Sequence, residues 1–132
     1  MKLMLDTNIC IYIIRQRPKG VLEKFTSFRV GELGISVITL AELEYGAAKS
    51  SDTARNRGAL EQFVSPLEVA AFDRQTTKAY GEIRSRLEQA GRPIGAMDLL
   101  IAAHALSLNV RLVTNNVSEF QRVRGLRVET WI

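Results

Sequence analysis

Short apolar runs that alternate with helix-length stretches constrain this chain more than any other feature. Lys2–Leu5 reads as a short buried strand and Gly34–Val37, Leu67–Ala71 and Val110–Val113 as further strands, with another short strand at Arg127–Glu129. Between them the apolar spacing is helical. Asn8–Gln16 is apolar all round and stops at Pro18, and Val21, Leu22, Phe25 and Phe28 recur at 3.6-residue spacing. Thr39–Ala48, residues 52–64, a long helix capped by Asp73, Gly95–Leu108 and a short Val117–Arg122 helix complete the reading. Such alternation implies an α/β fold: a short, mostly parallel sheet with helices on both faces, spanning residues 1–132 as a single domain.

The first strand raises a problem. Leu3-Met4-Leu5 runs straight into Asp6-Thr7-Asn8, and apolar residues resume at Ile9. A carboxylate set inside a core sequence needs a partner, a proton or a metal. In an open parallel sheet, ligands gather beyond the carboxyl ends of the strands. Asp6 lies there, as does Thr114-Asn115-Asn116, and Glu42 follows the strand ending near Val37 by about one helical turn. Asp98, in GAMDLLIAAHAL, has Ile94, Gly95, Ile101 and Ala102 as its helical neighbours and so lies on an apolar face with no lysine or arginine at pairing distance.

Each acid also has a purely structural explanation. Asp6 could cap the helix that follows it, and Thr39-Leu40-Ala41-Glu42 has the form of a capping box. Asp98 could complement a helix dipole, and Asn116-Val117-Ser118-Glu119 again resembles a cap. The one histidine, His104, fits a core position better than a catalytic one. Taken together, Asp6, Glu42 and Asp98 offer oxygen ligands without histidine or thiolate, a set that selects a hard cation such as Mg²⁺ or Mn²⁺. Such ions serve phosphodiester cleavage.

Charge agrees with a polyanionic partner. Eighteen basic residues stand against fourteen acids, a net charge of +4. Setting aside Asp6, Glu42, Asp98 and Glu119 as a neutralised site leaves ten acids and a surplus of eight positive charges. The single cysteine, Cys10, allows no internal disulfide and sits among isoleucines. No run approaches the length of a membrane span, and the N-terminus lacks a signal-peptide pattern, so a cytoplasmic protein is expected.

Four segments, MLDTNICIYII, ISVITLAELEYGA, GRPIGAMDLLIAAHA and LVTNNVSEFQRV, give the sequence its resemblance to the PIN-domain ribonucleases, in particular the VapC toxins of bacterial toxin–antitoxin pairs. They occur in the family's order and span essentially the whole chain. The resemblance implies an Mg²⁺-dependent endoribonuclease, with Mn²⁺ able to substitute. Asp6, Glu42 and Asp98 match the family's metal-binding acids, and Glu119 joins them as a catalytic acid. Thr7, Asn8, Thr114 and Asn116 match supporting polar positions. Some relatives carry aspartate where this chain has Asn116, and others an acid where it has Glu119. A transfer RNA is the implied substrate, seated by arginines such as Arg15, Arg17, Arg84, Arg86 and Arg92. A cognate antitoxin that inserts a basic side chain, a homodimer and a higher toxin–antitoxin assembly are implied partners. Phe25, Phe28 and Tyr45 offer apolar surface for dimerisation, although core packing explains them equally well. Two rivals remain: an aspartyl-phosphate enzyme resembling the haloacid dehalogenase-like phosphatases through LMLDTN, and an RNA-binding module with a degenerate site.

Overall fold

The computed structural model describes residues 1–132. Its centre is β1 (Leu3–Leu5), buried on both faces, with Leu3 and Leu5 packed to one side and Met4 to the other. That alternation is the two-residue period of a strand. β2 (Leu33–Ser36) pairs with one edge of β1 and β4 (Arg111–Val113) with the other. β3 (Glu68–Ala70) and β5 (Val128–Glu129) extend the sheet outward, and every pairing is parallel, in the order β3-β2-β1-β4-β5. β1, β3, β4 and β5 are each one or two residues shorter than the sequence suggests, and β2 keeps its length but starts one residue earlier, at Leu33.

One core layer joins Leu3, Leu5 and Ile35 to residues of α1 (Thr7–Ile14), α2 (Lys19–Thr26), α3 (Val37–Ala48) and α4 (Thr53–Val64). The opposite layer joins Met4 and Leu112 to α5 (Arg74–Gln89), α6 (Ala96–Leu108) and α7 (Val117–Phe120). Coverage on both faces accounts for the apolar runs of β1, β2 and β4, whereas the outer strand β3 exposes Glu68 and Val69. Pro18 separates two helices, as expected, and stands immediately before α2. Asp73 caps α5 by accepting the Thr76 N–H at 3.0 Å.

Three expectations change. Val37 opens a helix instead of closing a strand, because the Ser36 hydroxyl accepts the Ile38 N–H at 3.0 Å and caps α3. Thr39–Glu42 is therefore no capping box; Glu42 lies in the second turn. Phe25 and Phe28 do not form an open apolar surface. Phe25 packs against Phe63 with ring centroids 5.8 Å apart, and Phe28 stacks on Trp131 at 5.6 Å. Tyr45 alone of the three is well exposed, at 65%.

His104 is fully buried, with Nδ1 2.7 Å from the Ser36 hydroxyl and Phe72 edge-on to its ring. Burial lowers its pKa, which favours the neutral imidazole. The core reading holds: His104 ties α6 to the head of α3. No helix is long and apolar enough to cross a membrane.

The topology fixes one more thing. From β1 the chain builds β2 and β3 to one side and later returns to place β4 and β5 on the other. The order reverses between β1 and β4, and a parallel sheet opens a crevice at that point, beyond its carboxyl ends. Asp6 and Thr114 are the first residues past those two strands.

Candidate active site

Asp6 leaves the end of β1 only 3% exposed. Its Oδ1 accepts the Thr7 N–H at 2.7 Å, and its Oδ2 accepts the Thr114 hydroxyl at 2.7 Å. It therefore caps α1 and faces the crevice at once; the two readings from sequence are one arrangement. Burial raises its pKa, the hydrogen bonds from Thr114 and Thr7 oppose that, and the charges of Glu42 and Glu119 add to the rise.

The Thr7 hydroxyl donates to Glu42 Oε1 at 2.6 Å and stands 3.2 Å from the Thr39 hydroxyl. Glu42 is thus drawn to the mouth of β1 from the second turn of α3. Thr39, buried one turn before Glu42, is a supporting hydroxyl that the sequence reading treated as a helix start. Its α3 neighbour Leu43 is buried too, and the mixed apolar and polar face gave no signal to single Thr39 out.

Asp98 and Glu119 approach from the other layer. Asp98 lies in the first turn of α6 and Glu119 in α7. A Cβ at Gly95 would sit 3.7 Å from Glu119 Oε1 and 3.9 Å from Asp98 Oδ2, so both carboxylates crowd the head of α6. Glu119 Oε1 accepts the Gly95 N–H at 2.8 Å, and Oε2 accepts the Asn116 amide at 2.7 Å. These bonds hold the Glu119 carboxyl below its usual range, the Gly95 N–H contributing most. Asn116 in turn donates its backbone N–H to the Thr114 hydroxyl at 3.0 Å. Thr114 thus accepts from Asn116 and donates to Asp6, linking the two halves of the site.

Asp98 is pushed up to about 7 by its burial first, then by the charges of Asp6 and Glu119, the Glu119 hydrogen bond and the charge of Glu42. The five ion pairs in the molecule engage Glu68, Glu32, Glu23, Glu88 and Glu129, so none of the four crevice acids is paired with a lysine or arginine. The carboxylates share one field without a preformed cage: no three acidic, histidine or cysteine side chains are close enough together to constitute one. An all-oxygen donor set, mutually repelling and unpaired, fits a hard divalent cation chemically.

The supporting residues divide. Thr7, Thr114 and Asn116 bond directly to the acids or to each other, whereas Asn8 is exposed. Asn8 lines, with Thr7, Glu42 and Arg15, a groove of about 780 Å³ that runs along α1 and α3 past Tyr45 to Lys49. Arg17 is exposed beyond α1. Arg84 is engaged within its own helix, 3.0 Å from both Glu88 Oε2 and the Tyr80 hydroxyl. Arg86 and Arg92 share a hollow with Arg122 and Arg124, two residues the sequence reading did not connect with them, since nothing in their spacing relates residues 86–92 to 122–124.

Glu119→Gln tests this geometry. Glutamine can still accept the Gly95 N–H, but its amide would face the Asn116 amide, donor against donor. The affinity of the crevice for Mn²⁺, measured by titration, is expected to fall about 10- to 100-fold, the range for losing a group that orients a ligand. A loss as deep as that of an Asp6 variant would promote Glu119 from orienting group to ligand.

The PIN domain family model matches residues 3–126. The chain belongs to the PIN-domain family. Along nearly its whole length this PIN domain is similar to named relatives. It is 47% identical over 131 residues to the "tRNA(fMet)-specific endonuclease VapC" of Shigella flexneri, covering 99% of this chain and 98% of that one. It is 45% identical over 129 residues to "Ribonuclease VapC2" of Rickettsia felis, covering 97% and 96%. Among solved structures, a DNA-bound VapBC complex from Salmonella typhimurium superposes with a TM-score of 0.94 at 44% identity, over 100% of this chain and 99% of that one. The PIN fold and the parallel sheet expected from sequence are both present.

Proposed function

We propose that this PIN-domain protein is an endoribonuclease toxin of the VapC type, which hydrolyses a phosphodiester bond in a transfer RNA and so inhibits translation. The observation that carries this reading is the convergence of Asp6, Glu42, Asp98 and Glu119 on one crevice, none of them in an ion pair with a lysine or arginine. The names of its full-length relatives supply the reaction class and the substrate.

Asp6, Glu42 and Asp98 would hold the cation, Mg²⁺ with Mn²⁺ able to substitute. When bound it supplies positive charge to the scissile phosphate and the leaving 3′ oxygen, and it acidifies water. The chain's own groups do the rest. Thr7 fixes Glu42 and Thr114 fixes Asp6, so that each presents an oxygen to the crevice. Asp98, at about 7 in the cation-free protein, and Glu119 are the acids placed to orient a water or take its proton. Asn116 and Gly95 keep Glu119 ionised and pointed inward.

An active nuclease of this kind needs restraint in its own cell. The VapBC complexes among the similar structures support a cognate antitoxin partner. A basic antitoxin side chain entering the unpaired acids would take the cation's place. A homodimer within a larger toxin–antitoxin assembly and a cytoplasmic site of action complete the proposal.

The test uses purified protein and a tRNA(fMet) transcript, with Mg²⁺, with Mn²⁺ and with EDTA, followed by mapping of the cut ends. Cleavage at a defined position in either metal, abolished by EDTA, is the expected result. Equal cutting in EDTA, or none in either metal, overturns the reading.

A further inference from the structure

The crevice acids explain how a phosphate is attacked but not how an RNA strand is held against a cluster of negative charge. The hollow between the end of α5 and the segment after α7 meets that need. Arg86 lies in the last turn of α5, and Arg92 follows in the loop before α6. Arg122 and Arg124 arrive from the turn after α7, thirty or more residues later in sequence. Four guanidinium side chains therefore line one concavity of about 170 Å³, and no carboxylate is among its lining residues.

None of the four forms an ion pair. The negative end of the α5 dipole offsets part of the charge at Arg86 but not that of the other three. Arg122 is built into the site rather than draped over it. Its Nη1 donates to the Pro93 carbonyl at 2.9 Å, while its Nε is buried without a hydrogen-bond partner. A buried N–H without an acceptor is costly, and like charges gathered around a hollow repel. An anion with several acceptor oxygens relieves the repulsion, and arginine is the side chain suited to grip it through paired N–H donors.

The position selects which anion. Pro93 is two residues from Gly95, whose N–H holds Glu119, and the charge of Arg122 bears on Glu119 itself. The hollow thus borders the acid crevice on the Asp98–Glu119 side. We infer that Arg86, Arg92, Arg122 and Arg124 form a docking site for a phosphodiester of the RNA substrate, next to the point of cleavage and separate from the cation site. The inference rests on the nuclease reading above. It also gives the basic residues distinct duties: Arg84 is spent on Glu88 and Tyr80, whereas Arg86 and Arg92 face the strand.

The experiment measures binding and cleavage apart. A fluorescently labelled tRNA(fMet) transcript is titrated with protein in EDTA across a range of NaCl concentrations. Arg86→Gln, Arg92→Gln, Arg124→Gln and Arg122→Gln are compared with the unaltered chain, and Arg122→Lys serves as the charge-conserving control. Each glutamine is expected to raise Kd by about three- to fivefold at moderate salt and to lower the slope of log Kd against log salt by roughly one. In Mg²⁺, the three exposed variants, Arg86→Gln, Arg92→Gln and Arg124→Gln, should raise KM and leave kcat nearly unchanged. Unaltered Kd and salt slope in those three variants, with normal cleavage by the parent protein, overturn the docking site and leave the nuclease reading standing. Absence of cleavage by the parent in both metals overturns that reading instead. Inorganic phosphate is titrated in parallel. If it binds in an arginine-dependent way while RNA affinity is insensitive to the same variants, the hollow takes a small free anion and the RNA assignment is wrong. Loss of antitoxin binding with unchanged RNA affinity would likewise overturn it in favour of a protein contact.

Discussion

Asp98→Asn is expected to lower cleavage of a tRNA substrate by about a thousandfold or more while leaving the folded protein as stable as before, or more so. The first half follows from charge. Removing a ligand carboxylate removes several kcal/mol of support for the cation and the charge it neutralises, and about 4 kcal/mol corresponds to that factor in rate. The second half follows from linkage. Asp98 titrates at about 7 in the folded protein against an ordinary 3.8, chiefly because it is half-buried beside other acids. Between those values the folded state keeps a proton that the unfolded chain has released. The contribution to stability is full below about pH 4 and is lost as pH rises through 7. An asparagine at this position never ionises and escapes the loss. In EDTA at pH 8 the variant should melt at or above the temperature of the parent, and below about pH 4, where Asp98 is protonated in both the folded and the unfolded chain, the two should converge. Mg²⁺ should raise the melting temperature of the parent more at pH 8 than at pH 5, because protons and the cation compete for the same oxygens. An Asp98→Asn protein with full activity would make the residue structural.

Asp6 and Asp98 were legible because each violates a local rule. Asp6 interrupts a strand-like apolar run, and Asp98 stands on the apolar face of a helix. Such conflicts between residue type and environment are where a functional site shows in sequence. Glu42 was less distinct, since its surroundings imitate a helix start. Only the hydroxyl of Ser36 at the true start, and that of Thr7 on the carboxylate, separate the two possibilities. The strand order was implied only as parallel, and its reversal between β1 and β4, which opens the crevice, is a property of the whole sheet. The arginine hollow was illegible for a simpler reason. Arg86 and Arg92 meet Arg122 and Arg124 across separate elements, and no periodicity links them.

The rivals are weakened by the same contacts. An aspartyl-phosphate enzyme would rest on Asp6 alone, which here serves as the cap of α1 and the acceptor of the Thr114 hydroxyl. The second acid such an enzyme would carry two residues on is replaced by an exposed Asn8. A degenerate RNA-binding module has no use for four mutually repelling acids, two of them held at raised pKa values. Stability alone would have removed that strain. Its retention beside an arginine hollow separates two jobs: the acids treat one phosphate as a reactant, and the arginines treat its neighbour as a handle.

Asp6→Asn is expected to abolish cleavage as fully as Asp98→Asn, but to differ from it in stability. Asparagine is close in shape to aspartate and keeps one carbonyl oxygen, enough to accept the Thr7 N–H and cap α1. Its amide cannot accept the Thr114 hydroxyl, which now reaches Oδ2 at 2.7 Å. Thr114 already accepts the Asn116 N–H, so its own proton would be left without an acceptor in a fully buried position. That loss costs about 1 to 3 kcal/mol. Against it stands relief from burying an ionised carboxylate whose pKa is raised, first by desolvation and further by Glu42 and Glu119. At pH 8 in EDTA, Asp6→Asn should therefore melt below Asp98→Asn, because a buried hydroxyl donates to Asp6 and none donates to Asp98. Adding Thr114→Val should recover part of the difference, because it removes the orphaned hydroxyl along with its lost acceptor. Equal melting temperatures for the two asparagine variants, with no gain from Thr114→Val, would show that the Asp6–Thr114 bond does not tie β1 to β4. The crevice would then owe its shape to the sheet alone.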